Sequence, residues 1–135
     1  MKRSNSLKIS NLILSWFPPV IWMIVIFYFS SRPRFGISHQ FVFDFIIFKT
    51  LHLIEYGILY FLLFRAFYKT TNLPPSKKFL YSFLFALFYA ITDEFHQLFV
   101  PTREGKIRDI IIDTIGIGLV CYYIKTKIQV LKETL

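Results

Sequence analysis

The chain has 135 residues, the length of one domain, and 55% of them are hydrophobic and 20% aromatic. A soluble domain of this size has too little interior for so much apolar surface, so the composition excludes an ordinary soluble fold. The formal net charge is +8, but the 16 Lys and Arg residues lie mostly at the ends of apolar runs. This distribution favours lipid head groups as partners and argues against a nucleic-acid-binding protein.

The first apolar run predicts a membrane span over about residues 12–31, because about 20 apolar residues cross a bilayer as a helix. No small-residue cleavage site follows the run, which disfavours a signal peptide. Pro18 and Pro19 either begin the regular helix or kink it. Residues 32–44 are predicted to form a loop, and the aromatic residues 41–48 either lie in the membrane interface or join the second span.

Three further spans are predicted at about residues 49–67, 79–99 and 107–124. Two prolines and two lysines in residues 72–78 indicate a turn after the second span. After the third span, Pro101 ends the helix and Gly105 lets the chain turn, which predicts a polar elbow at residues 101–106. The predicted fold is therefore all-α: residues 1–135 form a single domain, a polytopic membrane protein built as a bundle of four transmembrane helices.

The distribution of positive charge predicts the orientation, because four spans place both termini on one side of the membrane. Ten Lys and Arg residues lie in the N-terminal head, the loop after the second span and the C-terminal tail. Six lie in the other two loops, among them Arg34 and Lys49. Cytoplasmic segments carry the excess, so we expect cytoplasmic termini and an elbow that faces outward.

Acidic side chains interrupt the apolar runs. Five of the eight acidic residues lie inside predicted spans: Glu55, Asp93, Glu94, Asp109 and Asp113. An ionised acid at the centre of a span costs about 2.5–3.5 kcal/mol, so such groups normally face the bundle interior or a wet cavity. We therefore expect a polar chamber inside the bundle.

The depth of these residues in the membrane and the helix faces on which they lie agree with a single polar chamber. The helical rise predicts an inner tier of acids at similar depth below the outer face, made of Glu55, Asp93 and Asp113. Polar residues nearer the surface form an outer tier of His52, Gln97 and Asp109. Gly116 shares a face with Asp113, which allows a close approach between helices.

Two blocks of residues carry a resemblance to a known family. The first block reads K-x-x-H-x-x-E-Y and consists of Lys49, His52, Glu55 and Tyr56. The second combines D-E-x-x-Q, P-x-R and D-x-x-x-x-x-x-G, from Asp93, Glu94, Gln97, Pro101, Arg103, Asp109 and Gly116. In this pattern the chain resembles the VanZ-like family of small bacterial membrane proteins. It departs from the family at Leu53, where Phe is usual, at Thr102, where Gly is common, and at Asp113, where Asn is common.

The resemblance implies an integral protein of the bacterial cytoplasmic membrane that acts at the cell envelope. The family's namesake is associated with resistance to teicoplanin-type glycopeptides. The resemblance supplies no settled reaction, so whether the chain is an enzyme stays open.

The leading hypothesis is an outward-facing polar pocket that binds or modifies an envelope lipid or a lipid-linked precursor. The residues expected to move protons are His52, Asp93, Glu94 and Asp109. Arg103 suits a phosphate, because a guanidinium makes bidentate contacts with oxyanions. The other residues expected to bind the substrate are Glu55, Tyr56, Gln97 and Asp113.

Two other readings stay open. Acids and a histidine at mid-depth are typical of a proton or solute path, for which four spans are few, so a homo-oligomer would be required. Alternatively, the polar groups are a structural scaffold that joins the helices by hydrogen bonds.

Metal binding is the weaker chemical alternative. Suitable ligand types are present at His52, His96, Glu94, Asp109 and Asp113. However, their spacing is not H-E-x-x-H and no cysteine lies near them. We therefore expect no bound metal and no cofactor.

Overall fold

The computed structural model describes residues 2–33 and 41–131. These residues form four helices and no strand: α1 (Lys2–Ser30), α2 (Phe41–Thr70), α3 (Pro75–Gln97) and α4 (Ile107–Leu131). The prediction of an all-α fold is thus confirmed. Most of the predicted first loop, including Arg34, and the end of the tail, with Lys132 and Leu135, lie outside the described residues.

The helices are longer than the predicted spans. The aromatic residues 41–48 are the first turns of α2, so Lys49 lies inside this helix and not in the loop where its charge was counted. In α1, Pro18 and Pro19 lie within the helix, which begins far before them. Prolines inside a helix remove backbone hydrogen bonds, but membrane helices tolerate them because neighbouring groups satisfy the freed carbonyls.

Consecutive helices run antiparallel, and α2 is the central element. The Trp16 indole nitrogen of α1 donates a hydrogen bond to the hydroxyl of Thr70 at the far end of α2, over 3.2 Å. Farther along, the Trp22 indole nitrogen donates to the backbone carbonyl of Glu55, over 2.9 Å. Helix α2 contacts each of the other three helices, whereas α1 and α4 do not contact each other within the described ranges.

Helices α2 and α4 run parallel and approach closely. A Cβ atom added at Gly116 would lie 2.2 Å from the backbone oxygen of Leu53, so no larger residue fits there without a shift. At Gly57 an added Cβ would lie 3.0 Å from a methyl carbon of Val120. The close approach expected at Gly116 is therefore present, and its partner is α2.

The bundle exposes apolar side chains and buries polar ones together with an apolar core that includes Tyr60, Phe64 and Ile117. Two helices contain segments long and apolar enough to cross a membrane, Ile9–Ser30 and Val42–Thr70. On α4 an exposed apolar stripe follows the helical repeat through Ile107, Ile111, Ile115 and Leu119. The buried polar side chains include His52, Asp93, Glu94, Gln97, Asp109 and Asp113. This distribution is that of a helical membrane protein, in which lipid faces the apolar side chains.

The elbow turns at Thr102 and not, as predicted, at Gly105. Thr102 has a φ of 64°, and no described glycine has a positive φ. Left-handed backbone is uncommon for a β-branched residue and favours glycine. Gly105 is needed for a different reason: an added Cβ would lie 2.2 Å from the backbone oxygen of Glu94. The elbow therefore lies directly against the end of α3.

Candidate functional site

A buried ion pair joins the beginning of α2 to the beginning of α4. The ammonium of Lys49 pairs with the carboxylate of Asp109, and both side chains are less than a tenth exposed. Arg108 lies farther out, with its Nε 3.5 Å from Asp109 and its guanidinium over the ring of Phe45. Lys49 thus neutralises Asp109 inside the bundle.

One turn deeper, polar side chains from three helices meet in what we call the buried cluster: His52, Asp93, Glu94 and Asp113. The Nδ1 atom of His52 lies 3.5 Å from a carboxylate oxygen of Asp113, which is completely buried. One nitrogen of His52 and one carboxylate oxygen each of Asp93 and Glu94 lie within 4.8 Å of one another. Helices α2, α3 and α4 each contribute at least one member.

Two of the carboxylates are held through one oxygen only. The Gln97 side-chain amide donates to Oδ2 of Asp93 over 3.0 Å. The backbone N–H of Lys106 donates to Oε2 of Glu94, also over 3.0 Å. Oδ1 of Asp93, Oε1 of Glu94 and both oxygens of Asp113 are buried and make no hydrogen bond of standard geometry to the described residues.

A cavity of about 460 Å³ lies between the end of α1, the first half of α2 and the elbow; we call it the outer cavity. Its apolar walls come from residues of α1 and α2, including Ile26, Phe29, Phe48 and Leu51. Its polar lining consists of Ser30, Arg32, His52, Glu55 and Arg103. Since Phe29 and Leu51 are about half exposed, the cavity borders the outer apolar surface of the bundle.

Arg103 reaches from the elbow to the end of α1. Its Nε donates to the backbone oxygen of Arg32 and its Nη2 to that of Phe29, each over 2.7 Å. These carbonyls belong to the last turn of a helix and its extension, where intrahelical partners are missing. Arg103 therefore caps α1 while its charge lines the outer cavity.

The predicted site residues divide between the two regions. Glu55 lines the outer cavity, whereas Asp93, Glu94 and Asp113 belong to the buried cluster; His52 is part of both. The ring of Tyr56 stacks on His52 with centroids 6.4 Å apart. Gln97 supports the cluster through Asp93, and Asp109 lies beside it, paired with Lys49.

His96 faces another direction. Its Nε2 is 3.0 Å from the hydroxyl of Ser31, and its ring lies 4.6 Å from the Phe27 ring. It therefore packs against α1, away from the buried cluster. In the elbow, Lys106 pairs with Glu104 and lowers the pKa of that exposed carboxyl.

The sequence interpretation did not include Lys49, Ser30 or Arg32 among the site residues. Lys49 carried a usable signal, because it precedes His52 by three residues and so lies on the same face of a helix. Ser30, whose hydroxyl is buried without a hydrogen-bond partner among the described residues, carried a weaker signal, because Ser30 and Ser31 at the end of the first span also fit the VanZ-like pattern.

One comparison with known proteins finds a match. The family model described as VanZ/LLP1 matches residues 15–126. This range includes every residue of the buried cluster and of the outer cavity. No curated protein and no solved structure matches the chain.

Proposed function

The chain belongs to the VanZ-like family, and from this premise we propose that its outer cavity binds the phosphate-bearing head group of an envelope lipid or lipid-linked precursor. The protein would cross the membrane four times, with both termini in the cytoplasm and the elbow outside. Through this binding it would change sensitivity to teicoplanin-type glycopeptides, which act at the same envelope.

The composition of the outer cavity carries the proposal. A lipid head group combines a charged phosphate with the beginning of an acyl or isoprenoid chain, so its site needs cations beside apolar walls. Arg32 and Arg103 supply the cations, and residues such as Phe29 and Leu51 supply the walls. The volume of about 460 Å³ lies within the usual range for small-ligand sites.

The four-span topology rests on the exposed faces of α3 and α4. These helices carry carboxylates, but the carboxylates are buried, and most outward residues between the helix ends are apolar. On α3 the exposed side chains include Leu84, Phe88, Ile91 and Phe95. A surface of this kind on both helices supports contact with lipid acyl chains.

His52 connects the outer cavity with the buried cluster. Its ring lines the cavity on one side and faces Asp113 on the other. A bound phosphate or hydroxyl would meet the imidazole directly, so His52 would be the proton partner of the ligand. Asp93, Glu94 and Asp113 would act on the ligand through His52, because they do not line the cavity.

Binding can be tested by native mass spectrometry of the purified chain, titrated with phosphatidylglycerol, undecaprenyl phosphate and, as a zwitterionic reference, phosphatidylethanolamine. We expect one anionic lipid to remain bound through its phosphate. Replacing both Arg32 and Arg103 by alanine should weaken this binding about tenfold or more, since charge-assisted hydrogen bonds contribute about 1.5–3 kcal/mol each.

Arg108→Ala is the matched control, because Arg108 lies on the same side of the protein but does not line the outer cavity. It should bind like the wild type. Equal binding of all three lipids would reject selectivity for an anionic head group, because phosphatidylethanolamine also carries a phosphate. Equal loss in Arg108→Ala would reject a specific phosphate site. Retained helicity with full glycopeptide resistance in the double variant would favour the structural-scaffold reading.

A further inference from the structure

The buried cluster contains more negative charge than the protein itself neutralises. Lys49 neutralises the charge of Asp109. No lysine or arginine of the described residues forms an ion pair with Asp93, Glu94 or Asp113. Each of these carboxyl residues is at most 3% exposed. Isolated carboxylates are costly in a low-dielectric interior, so the charge must be removed by protons or balanced by a cation.

The arrangement of hydrogen bonds favours a cation. Asp93 and Glu94 are each held by one donor of standard geometry on one oxygen, with the Tyr56 hydroxyl also beside Asp93, and each leaves its second oxygen buried without a hydrogen bond of standard geometry. Carboxylates that ligate metals are typically oriented in this way by an outer hydrogen-bond donor.

The distances fit a single ion after a small contraction. Three ligand atoms at about 2.1 Å from one ion lie about 3.4–3.6 Å apart. The nitrogen of His52 and the oxygens of Asp93 and Glu94 lie within 4.8 Å of one another, so each atom would move inward by less than about 1 Å to bind one ion. The three residues come from two helices that pack against each other, α2 and α3.

From these observations we propose that His52, Asp93 and Glu94 form a binding site for one divalent cation. An imidazole with two carboxylates suits ions such as Mn²⁺ and Zn²⁺. Asp113 is a positioning residue: its oxygen lies 3.5 Å from Nδ1 of His52, where a carboxylate orients a ligating imidazole. The site rests on the buried cluster and does not depend on the proposed lipid function. An ion bound to His52 would occupy the ring nitrogen that would otherwise exchange a proton with the lipid, because Nδ1 faces Asp113.

The test uses the full-length chain in detergent, stripped with a chelator and titrated with Mn²⁺ without added lipid. Free Mn²⁺ is counted by its EPR signal, and bound Mn²⁺ is examined by pulsed EPR for coupling to imidazole nitrogen. We expect one bound ion with coupling to one histidine. Asp113→Asn should weaken binding about 10- to 100-fold, and Asp93→Asn or Glu94→Gln by more.

Two variants serve as controls. Glu104→Gln removes an exposed carboxylate from the elbow, and His96→Ala removes a histidine that faces α1, so both should bind Mn²⁺ like the wild type. The proposal is overturned if the wild type shows no saturable site or no nitrogen coupling. It is also overturned if Asp93→Asn and Glu94→Gln bind as tightly as the wild type. The wild-type titration and spectrum alone can overturn the proposal. The test therefore holds even if one of the variants fails to fold.

Metal binding and lipid binding can fail separately. Lipid titration of the chelator-stripped chain reports on the outer cavity alone, and Mn²⁺ titration without lipid reports on the buried cluster alone. Loss of one with retention of the other would remove only the corresponding proposal.

Discussion

At the scale of single residues, the interior is divided between charges that have partners and charges that do not. Lys49 and Asp109 form a closed ion pair, whereas the carboxylates around His52 keep unpaired oxygens. That acids would be buried could be predicted from their cost in lipid. That Lys49 would neutralise Asp109 could not, because one sequence does not show which residue of another helix faces it.

Replacing one partner of the Lys49–Asp109 pair should destabilise the protein much more than replacing both. Lys49→Met leaves Asp109 buried and unpaired, which we expect to lower the free energy of unfolding by about 3–5 kcal/mol. The double variant Lys49→Met, Asp109→Leu should recover most of that loss, since neither charge remains. Unfolding in mixed micelles with increasing SDS measures both. Additive losses in the double variant would show that the two side chains do not interact.

At the scale of the helices, α2 organises the bundle, since it is the helix that contacts each of the others in the described part of the chain. Its parallel contact with α4 brings Lys49 to Asp109 and His52 to Asp113 in register. The sequence predicted a close approach at Gly116 from its small size, but not the identity of the facing helix. One sequence has no information on which helices are neighbours beyond the order in which they follow each other.

Gly116 and Gly118 offer a matched pair of substitutions on α4. Gly116→Ala would place a Cβ atom 2.2 Å from the Leu53 carbonyl, so the helices must separate and stability should fall. Gly118→Ala meets nothing within 4 Å and should raise stability by up to about 1 kcal/mol, because alanine favours the helix. Thermal unfolding in detergent compares the two. Similar effects at both positions would contradict the close approach.

At the scale of the whole molecule, the exposed apolar surface and the buried carboxylates are those of a helical membrane protein. The sequence predicted four helices, the all-α class and the burial of Asp93, Glu94, Asp109 and Asp113, because hydrophobic runs and charge costs depend on local composition. Glu55, which was expected at the same depth, is only partly buried. The sequence did not predict the outer cavity, because that space depends on how the end of α1, α2 and the elbow meet. It also misplaced the turn of the elbow, since a threonine with a left-handed backbone is not expected from composition.

The proposed topology can be tested by the reactivity of single introduced cysteines toward a membrane-impermeant reagent. With Cys121, the single cysteine, replaced by serine, Glu104→Cys in the elbow should react with a membrane-impermeant maleimide in intact cells. Asn72→Cys, in the loop before α3, should react only after permeabilisation. Ile115→Cys, on the apolar stripe of α4, should resist labelling in both conditions because lipid covers it. The reverse pattern for positions 72 and 104 would invert the orientation.

The contact between the elbow and α3 has a mechanical consequence. Gly105 abuts the main chain of Glu94, while the neighbouring Lys106 amide holds that residue's carboxylate. The elbow thus contacts Glu94 twice, once at its backbone and once at its side chain. A force applied to the elbow would therefore be transmitted to a carboxylate of the buried cluster.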